Sequence, residues 1–219
     1  MLAFKISGYL FLICLLFLFR FSSSVNYLYR ICPNTTTYSP NSTYRSNLNQ
    51  LFLALSSNAT RDNGFYSYTV GRGPPDRIEG LFLCRGDVTP DVCEECVRNA
   101  TTDILQRCPK EKEAVIWYDE CMLRYSNISI FSRSEQNIRL IMRNTQNITG
   151  QPDRFRTVLA ATLNELATEA ANNLPGKKFA TRQANFTAFQ TLYTLAQCTP
   201  DLSSGQCNTC LQDCISNFP

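Results

Sequence analysis

The sequence predicts an α+β fold in two tandem, disulfide-framed copies, each setting helices against an antiparallel sheet. Three observations predict it. The spacing C-x8-C-x2-C occurs at Cys84, Cys93 and Cys96 and recurs at Cys198, Cys207 and Cys210, 114 residues later. Amphipathic stretches and β-branched or aromatic runs surround each motif in the same order. The 219 residues suffice for two domains of about 100 residues each.

The chain opens on a secretory leader. Lys5 supplies a positive start, Ile6 to Phe19 is mainly apolar, and Ser22, Ser23 and Ser24 offer small residues for cleavage after Ser24. The apolar run is short for the about 20 residues a membrane span needs. No second run of that length follows, so the mature chain is expected to lack a transmembrane helix.

In the first copy Leu48, Leu51, Phe52 and Leu55 recur at helical spacing. Phe65 to Val70 is aromatic and β-branched and reads as a strand, Gly71 to Pro75 as a turn, and Ile78 to Cys84 as its partner strand. Thr89 suits an N-cap and Pro90 a first turn. The helix they open places Val92, Cys93, Cys96, Val97, Ala100 and Ile104 on one face, and Pro109 follows its end. Two more strands are expected at Ala114 to Tyr118 and Cys121 to Tyr125, and a last one, with a linker, between Phe131 and Asn147. In the second copy Phe155, Val158, Leu159, Leu163 and Leu166 repeat the first helix behind Pro152 and Asp153. Strands are expected from Phe179 onward and over Phe186 to Cys198. The boundaries are a leader at 1–24, a first domain at 26–133, a linker and last-strand region at 134–150, and a second domain at 151–219.

Eleven cysteines, ten once Cys14 leaves with the leader, in a secreted chain predict disulfides before zinc or redox chemistry. Sequons at Asn34, Asn41, Asn58, Asn99, Asn127, Asn147 and Asn185 agree with secretion. With no histidine, a Ser-His-Asp triad, a Cys-His dyad and histidine metal ligands are excluded. The carboxylates are scattered and suggest no catalytic pair, and no cofactor is expected. Without Lys5 and Arg20 the charges stand at 19 basic against 18 acidic, with no basic run, which argues against a nucleic-acid partner.

Leu81-Phe82-Leu83-Cys84-Arg85-Gly86-Asp87, the shared cysteine spacing, and Cys108 and Cys121 resemble the plant cysteine-rich repeat domain, also called ginkbilobin-like or salt-stress/antifungal. Asn144 to Asn147, Asp153-Arg154-Phe155 and Gln197 to Leu202 resemble the tandem ectodomain of cysteine-rich receptor-like kinases. The resemblance implies a five-stranded antiparallel sheet packed with two helices per domain. It implies the bridges Cys32–Cys108, Cys84–Cys93, Cys96–Cys121 and Cys198–Cys207. Cys210 and Cys214 stand outside that pairing, because the strand carrying the counterpart of Cys121 is missing from a second copy expected to be truncated.

The resemblance also implies function. The expectation is a non-catalytic extracellular sensing or interaction module in stress or defence signalling. Its partner would be an extracellular ligand, a cell-wall glycan or another ectodomain. Its location would be the apoplast, or the plasma membrane within a full-length receptor. A kinase is not expected here, since no G-x-G-x-x-G, H-R-D or D-F-G sequence occurs. The alternative is a secreted antifungal mannose-binding protein. The three positions that bind mannose in such relatives hold Pro33, Val115 and Ser126, which lack that hydrogen-bonding chemistry. Tyr27, Tyr29 and Tyr38 are candidate surface contacts.

Overall fold

The computed structural model of the protein describes residues 25–33, 35–133, 138–144, 146, 148, 150–173 and 176–217. The expected leader at 1–24 lies outside the described residues. The first unit runs β1 (Tyr27–Ile31), α1 (Thr43–Ser57), β2 (Phe65–Val70), β3 (Ile78–Cys84), α2 (Pro90–Arg107), β4 (Ala114–Tyr118) and β5 (Cys121–Ser126). The five strands form one sheet in the order β1-β4-β5-β3-β2, every neighbouring pair antiparallel. Helix α1 packs on β2 and β3, and α2 packs on β4 and β5.

The local chemistry explains these elements. Ser42 caps α1 by accepting the Arg45 N–H, and Leu48, Leu51, Phe52 and Leu55 are buried against the sheet. Thr89 caps α2 by accepting the Val92 N–H; Pro90 and Asp91 occupy its first turn and Arg107 its last, matching the helix dipole. β3 is buried along nearly its whole length, as a strand between two neighbours and under a helix must be. Gly80 of β3 sits where a Cβ would lie 2.5 Å from a Leu51 methyl, so glycine lets α1 seat closely on the sheet. The Glu79 carboxylate is only 2% exposed, yet it pairs with Arg77 and accepts the Ile130 N–H at 3.0 Å. Arg124 and Glu113 form a second shielded pair at 2.9 Å.

One expectation is corrected here. The described residues between Phe131 and Asn147, within the 134–150 region, contain no strand. The fifth strand is β1, which adds to β4 at the sheet edge. Its sequence, Tyr-Leu-Tyr-Arg-Ile, alternates only weakly, so pairing with β4 is what defines it.

The second unit runs α3 (Pro152–Asn172), β6 (Lys178–Asn185), β7 (Thr191–Cys198) and α4 (Ser204–Ser216). β6 and β7 pair antiparallel, α3 packs across both strands, and α4 packs mainly on α3 and touches β7. The strand expected from Phe186 begins later: the Phe186 N–H donates to the Gln190 carbonyl at 2.9 Å, closing a hairpin turn before Thr191. Helix α4 opens with a reciprocal capping box between Ser203 and Gln206.

The two units meet at a seam. The Gly86 N–H donates to Gln197 Oε1 at 3.2 Å, and Gln197 Nε2 donates to the Cys84 carbonyl at 3.0 Å. Lys177 Nζ donates to the Gly86 carbonyl at 3.1 Å. The Phe179 ring lies on Gly86 so closely that a Cβ there would sit 2.3 Å from the ring. A second set of contacts runs through Ser132, whose N–H donates to Asp201 Oδ2 at 2.6 Å while its carbonyl accepts from Gln206 Nε2 at 3.0 Å.

Candidate functional site

The cysteines decide what chemistry the repeated motif can support. In the structure Cys32 is bonded to Cys108, Cys84 to Cys93, Cys96 to Cys121 and Cys198 to Cys207. The two cysteines of the first C-x-x-C therefore have different partners. Cys93 reaches back to the end of β3 and Cys96 reaches across to the start of β5, because one helical turn sets both on the same face of α2. A disulfide exchange centre needs the two sulfurs of its C-x-x-C to bond each other. This geometry makes the motif a pair of staples. Among the described residues no three His, Cys, Asp or Glu side chains converge as a metal site.

Cys210 and Cys214 lie one turn apart on α4. The Cys214 thiol is pushed well above its ordinary range, first by its hydrogen bond with Cys210 and then by burial. The thiolate, the reactive form, is accordingly scarce at neutral pH.

The counterparts of the sugar-binding positions make no polar site. Val115 and Ser126 are buried within β4 and β5, and Pro33 is half-buried beside Cys32. Among the singled-out tyrosines only Tyr29 is well exposed, at 48%. Tyr38 is buried against Tyr44 with ring centroids 5.3 Å apart, and its hydroxyl accepts from Arg45. Tyr27 meets Tyr118 edge to face and carries the Arg107 guanidinium 4.0 Å above its ring. These two rings are used in packing.

The sequons divide by surroundings. Asn41, Asn99 and Asn185 are exposed, and Asn58 and Asn127 are half-buried. Asn58 Nδ2, the atom a glycan would occupy, donates to the Ala54 carbonyl at 2.9 Å where α1 ends. Asn34 and Asn147 lie outside the described residues.

The tyrosine hydroxyls of the core are likewise committed. Tyr44 donates to the Lys112 carbonyl and Tyr125 to the Glu111 carbonyl, and burial raises both above the ordinary tyrosine range. Tyr118, raised by burial and by its hydrogen bond to Asp103, behaves the same way. The shifted groups of the first unit thus brace the loop at Glu111 and Lys112 and the side of α2 rather than line a cleft.

Sequence reading missed the seam. Gly86 and Gln197 stand within recognisable motifs, but nothing in either motif indicates that they meet. The available signal was a glycine two residues past a strand-ending cysteine, where close approach of another backbone or ring is one of glycine's uses.

Comparison with known proteins adds three findings. The model of the salt stress response/antifungal family matches residues 31–128 and 142–218. Cysteine-rich receptor-like protein kinase 25 of Arabidopsis thaliana is 49% identical over 201 residues, covering 90% of this chain and 30% of the kinase. Kinase 8 of the same organism is 44% identical over 228 residues, covering 98% of this chain and 33% of its own. For putative kinase 9 the figures are 45% over 198 residues, 88% and 74%. This chain thus spans about a third of the first two relatives. Among solved structures, the tandem DUF26 ectodomain of the Arabidopsis thaliana cysteine-rich receptor-like protein PDLP8 has a TM-score of 0.74 at 22% identity. That match covers 88% of this chain and 87% of that one. The PDLP5 ectodomain gives 0.67 at 23% identity, covering 87% of both. The fold is that of a tandem DUF26 ectodomain, and no described helix is long and apolar enough to cross a membrane.

Proposed function

The chain belongs to the salt stress response/antifungal family, and on that premise we propose that it is a non-catalytic extracellular sensing and interaction module in stress or defence signalling. One observation carries the reading. The chain aligns with the ectodomain-sized third of receptor-like kinases and takes the tandem fold of receptor-like ectodomains, while its cysteines and buried ionisable groups serve as staples and braces. The modules are 26–133 and 151–219, joined through 134–150, and the seam at Gly86 and Gln197 holds them as one platform. Glycans are placed on Asn41, Asn99 and Asn185 in preference to Asn58, whose side-chain nitrogen already closes a helix end. Its partner is an apoplastic ligand, a cell-wall glycan or another ectodomain.

The test is a binding panel. The secreted chain, immobilised, is presented with cell-wall oligosaccharides, mannose-terminated glycans and plant receptor ectodomains. Saturable binding to an ectodomain or wall oligosaccharide is expected, with no mannose signal. A clear mannose signal together with inhibition of fungal growth would move the assignment to an antifungal lectin.

A further inference from the structure

The loop from α1 to β2 encloses a polar hollow of about 530 Å³. Its lining is Ser57, Asn58, Thr60, Arg61, Asp62 and Asn63, with no apolar side chain among them. Asn58 is fixed at both ends of its amide: Nδ2 donates to the Ala54 carbonyl at 2.9 Å, and Oδ1 accepts from Arg61 Nε at 3.2 Å. Asn63 Oδ1 accepts the Phe65 N–H at 3.2 Å. Among the described residues, the Thr60 hydroxyl, the Asp62 carboxylate and Asn63 Nδ2 have no protein partner. The hollow lies at the border of the two units, where a Cβ on Gly176 would come 3.7 Å from Asn63 Cβ. Ligand sites favour such borders. Aromatic rings continue from the hollow. The Arg61 guanidinium lies 4.9 Å from the centre of the Tyr66 ring. The Tyr66 and Tyr68 rings are nearly parallel, at 15°, with centroids 6.1 Å apart. Both stand on the α1 side of the sheet, since Tyr66 is opposite Phe82 and Tyr68 opposite Gly80. Tyr66 packs against the core, whereas Tyr68 is 42% exposed on β2, an edge strand.

We propose that the hollow and the tyrosine pair bind a neutral oligosaccharide of β-linked pyranoses whose ring hydroxyls are equatorial. The proposal rests on the interaction-module reading and names the ligand class and its site. A phosphate or uronate would meet the Asp62 carboxylate beside the lining's single cation, Arg61. An apolar peptide would find no apolar wall in the hollow. A sugar hydroxyl both donates and accepts, which suits a lining that offers a carboxylate, a guanidinium, an amide and a hydroxyl. A pyranose with equatorial hydroxyls turns its axial C–H bonds outward on both faces, and the positive edges of those bonds match the negative face of an aromatic ring. Tyr68 is the exposed ring that offers such a face. Arg61 joins the two parts, lining the hollow and covering Tyr66. The site requires an unmodified Asn58, whose amide is already bonded at both ends.

The probe is cellohexaose, titrated into the intact chain by calorimetry, with hexagalacturonate as the anionic comparison. Saturable binding of cellohexaose is expected, with hexagalacturonate weaker. Tyr68→Ala should weaken it about tenfold, and Tyr68→Phe should leave it within about twofold, because the stack needs the ring and not the hydroxyl. Hydrogen exchange on the wild-type chain gives a second readout free of any folding defect in a variant: amides of Thr60 to Asn63 should gain protection when cellohexaose is added. Absence of cellohexaose binding, tighter binding of hexagalacturonate, undiminished binding by a folded Tyr68→Ala, or unchanged exchange at Thr60 to Asn63 overturns the proposal. A glycan on Asn58 of the plant-expressed chain, found by peptide mass spectrometry, would fill the hollow and overturn it too. If cellohexaose fails while the chain still binds an ectodomain or another wall oligosaccharide, the module reading stands. If both fail, it falls as well.

Discussion

Replacing Cys32 and Cys108 together by alanine is expected to destabilise the first unit by about 4.5 kcal/mol. This bridge closes the longest loop of the four, with a sequence separation of 76, and chain entropy in the unfolded state grows with loop length. The separations of 25 for Cys96–Cys121 and 9 for Cys84–Cys93 correspond to about 3.5 and 2.7 kcal/mol. Cys32–Cys108 also ties the end of β1 to the end of α2, and β1 is an edge strand held by β4 alone. Since a domain's whole stability is about 5–15 kcal/mol, the double variant should be largely unfolded near physiological temperature. Urea unfolding of the disulfide-bonded variants measures the order. A Cys84/Cys93 double variant less stable than the Cys32/Cys108 one would contradict loop closure as the ruling term.

The second large effect is expected at the seam. Gly86→Ala places a methyl within 2.3 Å of the Phe179 ring, so the ring must leave or the backbones must part. Overpacking of this kind costs about 1–3 kcal/mol. Three hydrogen bonds depend on the same approach, two at the Gly86 peptide groups and one from Gln197 to the Cys84 carbonyl. The first-unit core lies away from Phe179, so the loss should fall on docking rather than on either fold. Small-angle scattering should show a longer particle, and limited proteolysis should cut more readily between Ile130 and Gly150. An unchanged profile in a folded Gly86→Ala protein would show that the seam does not hold the units together.

Much of the fold was legible because its signals are local. Leu48, Leu51, Phe52 and Leu55 announce a helical face, Thr89 and Pro90 its successor's start, and Phe65 to Val70 a strand; each element forms at those residues. β1 was not legible, since five residues of weak alternation acquire strand geometry only through β4. The same holds for the start of β7, where Phe186 is apolar enough for a strand but turns back through Gln190. The cysteine partners came from resemblance to a family; spacing alone permits several connectivities. The seam arises between segments distant in sequence, and no local pattern encodes such a meeting.

The repeated C-x8-C-x2-C as scaffold rather than reactive site is tested most directly by a disulfide map. The chain, alkylated without reduction and digested, is analysed by mass spectrometry for linked peptides. The expected links are Cys32–Cys108, Cys84–Cys93, Cys96–Cys121 and Cys198–Cys207, with Cys93 and Cys96 in separate bridges. A Cys93–Cys96 or Cys207–Cys210 link would contradict it, and would restore the motif as a candidate redox centre.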